Sequence, residues 1–152
     1  MLRPAALTGA LCTAACLGGC FSSGAQRSAG GILSIDVPAA AGDQRPAEVS
    51  GRMQVGERLE IRLGAATGTG YAWKLAGPIP ANMRMTTADP AGAVEPGDAK
   101  AMPGAPAWTV FGMDAVAQGD CWMRFVLVRP WEPEAEPARR VDLDVEVRAP
   151  AR

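Results

Sequence analysis

Seven residues near the C-terminus restrict the fold more than any other stretch. Val141-Asp142-Leu143-Asp144-Val145-Glu146-Val147 alternates aliphatic and acidic side chains without a break. A period of two puts the aliphatics on one strand face and the acids on the other, which describes a strand with one face buried and one in water. The pattern recurs upstream, where Leu59, Ile61 and Leu63 alternate with Arg58, Glu60 and Arg62. Ile32 to Val37 is an apolar run, Tyr71, Trp73 and Leu75 share a face, and Met83 to Thr87 is a weaker candidate. Trp108 to Ala115 and Cys121 to Val128 complete the set, joined near the turn residues Gln118-Gly119-Asp120. Beyond the N-terminal leader no segment has helical periodicity. Seven short strands separated by Gly and Pro predict an all-β chain folded as an antiparallel β-sandwich.

Composition removes several kinds of chemistry. The chain has 152 residues and no histidine, so no mechanism with an imidazole base or ligand is available. Its start reads as an export signal: Arg3 is followed by the uncharged apolar stretch Ala5 to Leu17, too short to span a bilayer. Leu17-Gly18-Gly19-Cys20 resembles a bacterial lipobox, in which the cysteine becomes the lipid-bearing first residue, carrying palmitate among its acyl chains. The alternative is ordinary secretion with cleavage nearby. Phe21 in place of Asp after the cysteine implies the outer membrane. The expected organisation is therefore a signal peptide over 1–19, a flexible tether over 20–30 beginning at lipidated Cys20, and one domain over 31–152. Cys12 and Cys16 leave with the signal, so Cys121 is the one thiol left in the domain, and no internal disulfide can form. Of 15 basic and 16 acidic residues, loss of Arg3 leaves 14 against 16, a net charge of −2. That balance offers no basic stripe for nucleic acid and no polybasic patch for lipid headgroups.

Strand counting brings three connections together. Successive antiparallel strands reverse direction, so the second, fourth and sixth connections fall at one end of the sandwich. The second is a glycine loop, Gly64 to Gly70, leading into Tyr71-Ala72-Trp73. The fourth is Asp89 to Ala107, rich in Pro, Gly and Ala. The sixth, Arg129 to Arg139, opens with Arg129-Pro130-Trp131. Pro130 fixes its own φ and pushes Arg129 toward an extended conformation, so the indole projects from a stiff base. Taken alone, Trp131 reads as a capping residue that closes the core, because large aromatics are mostly buried. Trp73 reads as the core tryptophan of an immunoglobulin-like sandwich, with Tyr71 on the same face.

Together, and in this order, the three loops resemble those of the chagasin family of cysteine-peptidase inhibitors. That family has an immunoglobulin-like β-sandwich with an Asn-Pro-Thr-Thr-Gly-(Tyr or Phe)-x-Trp loop, a Gly-x-x-Gly loop and an Arg-Pro-(Trp or Phe) loop. The resemblance spans roughly Val49 to Val147. It implies reversible, non-covalent inhibition of papain-like cysteine peptidases by a wedge of three loops. The partner-binding residues would be Thr67, Gly68, Thr69, Gly70 and Tyr71, then Gly104, Ala105, Pro106 and Ala107, then Arg129, Pro130 and Trp131. Thr69 and Gly70 would lie nearest the enzyme's nucleophile, Trp131 would stack on an aromatic beside the cleft, and Arg129 would hydrogen-bond at its rim. Two departures stand out. Ala66-Thr67-Gly68 replaces Asn-Pro-Thr, which predicts a looser loop, and Ala107 stands where the second loop ends in glycine.

Nothing in the chain assembles as a reaction centre. Cys121 shares a strand face with Met123, Phe125 and Leu127 and reads as a small buried hydrophobe. Glu132, Glu134 and Glu136 alternate with Pro and Ala in a solvated loop, and Asp142, Asp144 and Glu146 line a flat strand face unsuited to calcium. The expectation is a monomeric inhibitor with no cofactor, no metal and no nucleic-acid partner, touching the membrane through its lipid alone. The alternative is an envelope lipoprotein that keeps the sandwich and binds or supports something else without inhibiting a peptidase.

Overall fold

A computed structural model describes residues 24–28, 31–39, 46–66, 68–86, 93–96, 106–132 and 134–150. Among them the chain forms ten strands: β1 (Gly24–Ser28), β2 (Ile32–Val37), β3 (Ala47–Gln54), β4 (Arg58–Ala66), β5 (Ala72–Ala76), β6 (Met83–Met85), β7 (Ala93–Pro96), β8 (Pro106–Ala115), β9 (Gly119–Val128) and β10 (Arg139–Arg148). One sheet runs β1-β2-β4-β8-β6, with β7 also paired to β8, and the second runs β3-β10-β9-β5. The two sheets enclose one core, so the expected all-β sandwich is the fold. Six strand pairs are antiparallel. The pairs β2–β4 and β3–β10 are parallel. Parallel neighbours need a crossover, and β3 supplies it by crossing to the opposite sheet between β2 and β4.

The alternating segments bury the faces their patterns imply. Leu59, Ile61 and Leu63 of β4 and Val141, Leu143, Val145 and Val147 of β10 are all buried. Phe111 of β8 and Phe125 of β9 meet between the sheets, with ring centroids 4.8 Å apart and planes tilted by 52°. Tilted pairs of this kind add about 0.5–1.5 kcal/mol beyond the area they bury. Outside, Arg124 donates to both carboxylate oxygens of Asp142 at 2.7 and 3.1 Å and lies over the exposed ring of Trp122.

The seven expected strands are present, and three more accompany them. β3 reads Ala-Glu-Val-Ser-Gly-Arg-Met-Gln, where Val49 and Met53 point inward and Gly51 falls between them. A Cβ at Gly51 would lie 3.0 Å from the Leu33 side chain, so the interrupted alternation leaves room for Leu33. β7 falls inside the stretch 89–107, expected as a loop, and is held by backbone pairing to β8.

The third addition corrects the tether. Residues 24–28 lie within the segment 20–30 that was expected to be flexible, yet they form β1, paired with β2 from Gly24↔Asp36 to Ser28↔Ile32. Ala25 to Ser28 are exposed, so no apolar alternation marks this strand. Its support is the backbone ladder, together with Arg27, which donates to the Arg52 carbonyl at 2.7 Å and lies 3.8 Å from the Glu57 carboxylate. Residues 1–19 and Cys20 lie outside the described residues.

Cys121 is 3 % exposed and sits among the core residues. Burial, and secondarily the charge of Asp144, push its thiol from 9.0 up to about 11. Between those values the unfolded chain ionises and the folded one does not, so folding stability falls as pH rises through that window. Chemical denaturation from pH 8 to 11 is expected to show this loss, and Cys121→Ala to reduce its slope. An unchanged slope in the variant would assign the loss to other groups.

Candidate functional site

The register fixes which connections meet. Ala72 at the start of β5 pairs with Val128 at the end of β9, so the glycine loop and the Arg-Pro-Trp loop leave the sheet side by side. Ala66 at the end of β4 pairs with Pro106 at the start of β8, and Pro96 of β7 pairs with Ala107. Pro96 and Pro106, which flank residues 97–105, therefore lie toward that same pole. Parity of the strands predicted this convergence.

The glycine loop is shaped by two left-handed residues, Gly68 at φ +80° and Gly70 at φ +74°. Such angles are accessible to glycine and strained for residues with a Cβ. The Thr69 hydroxyl donates to the Ala66 carbonyl at 2.9 Å and ties the turn to the end of β4. Below it, Trp73 is fully buried and its indole Nε1 donates to the Gly64 carbonyl at 3.1 Å. One indole thus links the core to the strand that carries the loop.

On the neighbouring connection, the Glu132 amide donates to Arg129 O at 3.0 Å, the Ala135 amide to Glu132 O at 3.1 Å and the Ala138 amide to Leu127 O at 2.9 Å. These successive turns present Trp131, which is 63 % exposed, the most open of the large hydrophobic side chains among the described residues. Its ring is not folded into the core, contrary to the reading of this residue taken alone. The six-membered edge of the indole lies over Gly70, and a Cβ there would stand 2.9 Å from Cζ2 and closer still to Cη2. Glycine at position 70 therefore serves both the turn and the seat of the ring.

Four of the expected residues have settings that the sequence did not indicate. Tyr71 precedes β5 and is half-buried, and its ring lies under the Arg129 guanidinium, 4.7 Å from the ring centroid. Arg129 also reaches Glu132 at 3.4 Å. This pair stiffens the junction between the loops, and only partly faces solvent. Pro106 and Ala107 belong to β8 and not to a loop, because backbone pairing with β4 extends to Ala66. Thr67, Gly104 and Ala105 lie outside the described residues. Of the expected residues, Gly68, Thr69, Gly70, Pro130 and Trp131 are described and exposed. The Arg129–Tyr71 stacking went unread in the sequence, where only their adjacency across two loops could have signalled it. Among the described residues no three Cys, Asp or Glu side chains gather to hold a metal ion.

The two-sheet body thus shows an open indole against a glycine turn at one pole. The model of the chagasin family of peptidase inhibitors, I42, matches residues 52–145, and the chain belongs to that family. Comparison with curated proteins gives no match. The chain is similar to the cysteine protease inhibitor EhICP2 from Entamoeba histolytica, at 22 % identity and a TM-score of 0.54 over 77 % of this chain and 94 % of that one. It is similar also to PbICP-C, solved in complex with falcipain-2, at 20 % identity and a TM-score of 0.55 over 76 % and 98 %. At such identities the likeness establishes the fold.

Proposed function

We propose that the protein is a reversible, non-covalent inhibitor of papain-like cysteine peptidases, held to the cell envelope by a lipid on Cys20. The loop pole enters the active cleft, with Thr69 and Gly70 over the catalytic thiol and Trp131 packed beside it. The observation that carries this reading is the indole of Trp131, 63 % exposed yet seated on Gly70 at the tip of the sandwich. An open tryptophan on a stiff turn is an anchor that loses little freedom on binding. Family membership and the falcipain-2 complex of PbICP-C support the choice of partner. Inhibition on this reading comes from shape, with the loops covering the thiol without reacting with it.

Titration of papain with the protein is expected to abolish turnover at a one-to-one ratio. Trp131→Ala is expected to weaken inhibition by about 1–3 kcal/mol, roughly 5- to 150-fold. Its melting temperature should change little, because the ring is open to solvent. An inhibition constant equal to that of the parent would remove the anchor role. The departure Ala66-Thr67-Gly68 favours the second reading, an envelope module without inhibitory activity. Undiminished papain turnover under a large excess of folded protein would select it.

A further inference from the structure

β1 determines where a lipid on Cys20 joins the domain. Gly24 pairs with Asp36 of β2, and Asp36 pairs with Arg62 of β4. The two parallel strands β2 and β4 both end at the loop pole, as the close approach of Ala39 to Gly64 and the 2.7 Å bond from Arg139 to the Pro38 carbonyl show. β1 runs against them, so its first residue, Gly24, is the end nearer that pole. Its other end, Ser28, lies level with Ile32 and Arg58, near the opposite pole where Gly56 bonds Ala115 and Val116 bonds Asn82.

Chain length then limits the orientation. Four Cα steps separate Cys20 from Gly24, a reach of at most about 14 Å. Ala66, at the root of the glycine loop, lies four residues beyond Arg62, about 13 Å along β4. Gly56 lies six residues the other way, about 20 Å at the same rise. An acylated Cys20 can reach the level of the loop roots and cannot reach the opposite pole. Resting on the lipid anchor proposed above, we infer that the paired β1 holds the loop pole against the membrane surface and that detachment of β1 frees it for a soluble peptidase. Trp131 suits that position, since tryptophan is favoured at the depth of lipid headgroups. Detachment breaks the β1–β2 ladder and the Arg27 contacts but removes no side chain from the core, because Ala25 to Ser28 are exposed. It extends the reach from Cys20 to Ile32, to roughly 40 Å.

The test uses the full chain, produced with its signal and added to preformed vesicles of phosphatidylethanolamine and phosphatidylglycerol, with mass spectrometry reading the acyl mass on Cys20. Thr69→Cys and Val116→Cys report the two poles through their rates of reaction with a membrane-impermeant maleimide, while buried Cys121 stays silent. Insertion of twelve Gly/Ser residues between Ser23 and Gly24 is expected to speed labelling of Thr69→Cys at least tenfold and that of Val116→Cys less than twofold. Equal rates at position 69 with and without the insertion overturn the inference, and so does Cys20 without an acyl mass. No peptidase enters these measurements. A chain whose lengthening exposes position 69 but which leaves papain active therefore fails the inhibitor reading and keeps this one.

Discussion

Trp73→Ala is expected to lower folding stability by about 3–5 kcal/mol, the loss typical of removing a fully buried tryptophan from a core. The residue is 0 % exposed, so nearly all its contact with the sandwich disappears with the ring. The substitution also strips the donor from the Gly64 carbonyl, a buried acceptor on the strand that leads into the glycine loop. Leaving such a group unpaired costs about 1–3 kcal/mol and is part of the total. Thermal unfolding should show a drop of roughly 10–20 °C. Trp73→Phe refills much of the volume without the donor and should fall between the parent and the alanine variant. A loss below about 1 kcal/mol for Trp73→Ala would mean that the ring does not carry the core as described.

Gly70→Ala is expected to separate binding from folding. At φ +74° a Cβ adds about 1–2 kcal/mol of backbone strain, which bounds the loss in stability. The same Cβ would occupy the space held by the Trp131 ring. Because that ring is exposed, it can swing away without disturbing the core. Its departure is nevertheless the loss of the anchor, worth about 1–3 kcal/mol in binding. Inhibition of papain should therefore weaken by about 1–3 kcal/mol, because the backbone strain is present in the free and the bound protein alike. A double-mutant cycle with Trp131→Ala should show strong non-additivity, since both changes remove the same seated ring. Additive losses would separate the two residues and contradict the contact.

Where side chains alternate and are buried, the sequence is legible. β4 and β10 follow from Leu59, Ile61 and Leu63 and from the Val/Leu-acid alternation. β3 is hidden because its middle inward position is Gly51, small by necessity beside Leu33. β1 escapes notice for a different reason: a strand held by backbone pairing with side chains in water has no hydrophobic period to read. The site divides in the same way. Parity places Gly70 and Trp131 at one pole, whereas the openness of the ring follows only from the resemblance of the three loops together, since Trp131 taken alone reads as a core cap. The half-buried stacking of Arg129 on Tyr71 depends on how two turns close on each other, and no local pattern encodes that.

Protection of papain's catalytic thiol tests the account most directly. Iodoacetamide is presented to the enzyme with increasing amounts of the protein, and alkylation of both chains is followed by mass spectrometry. The account predicts one-for-one protection of the enzyme, full recovery of activity on dissociation, and an inhibitor chain that is never cut. Alkylation at the free-enzyme rate in the presence of excess folded protein would contradict it.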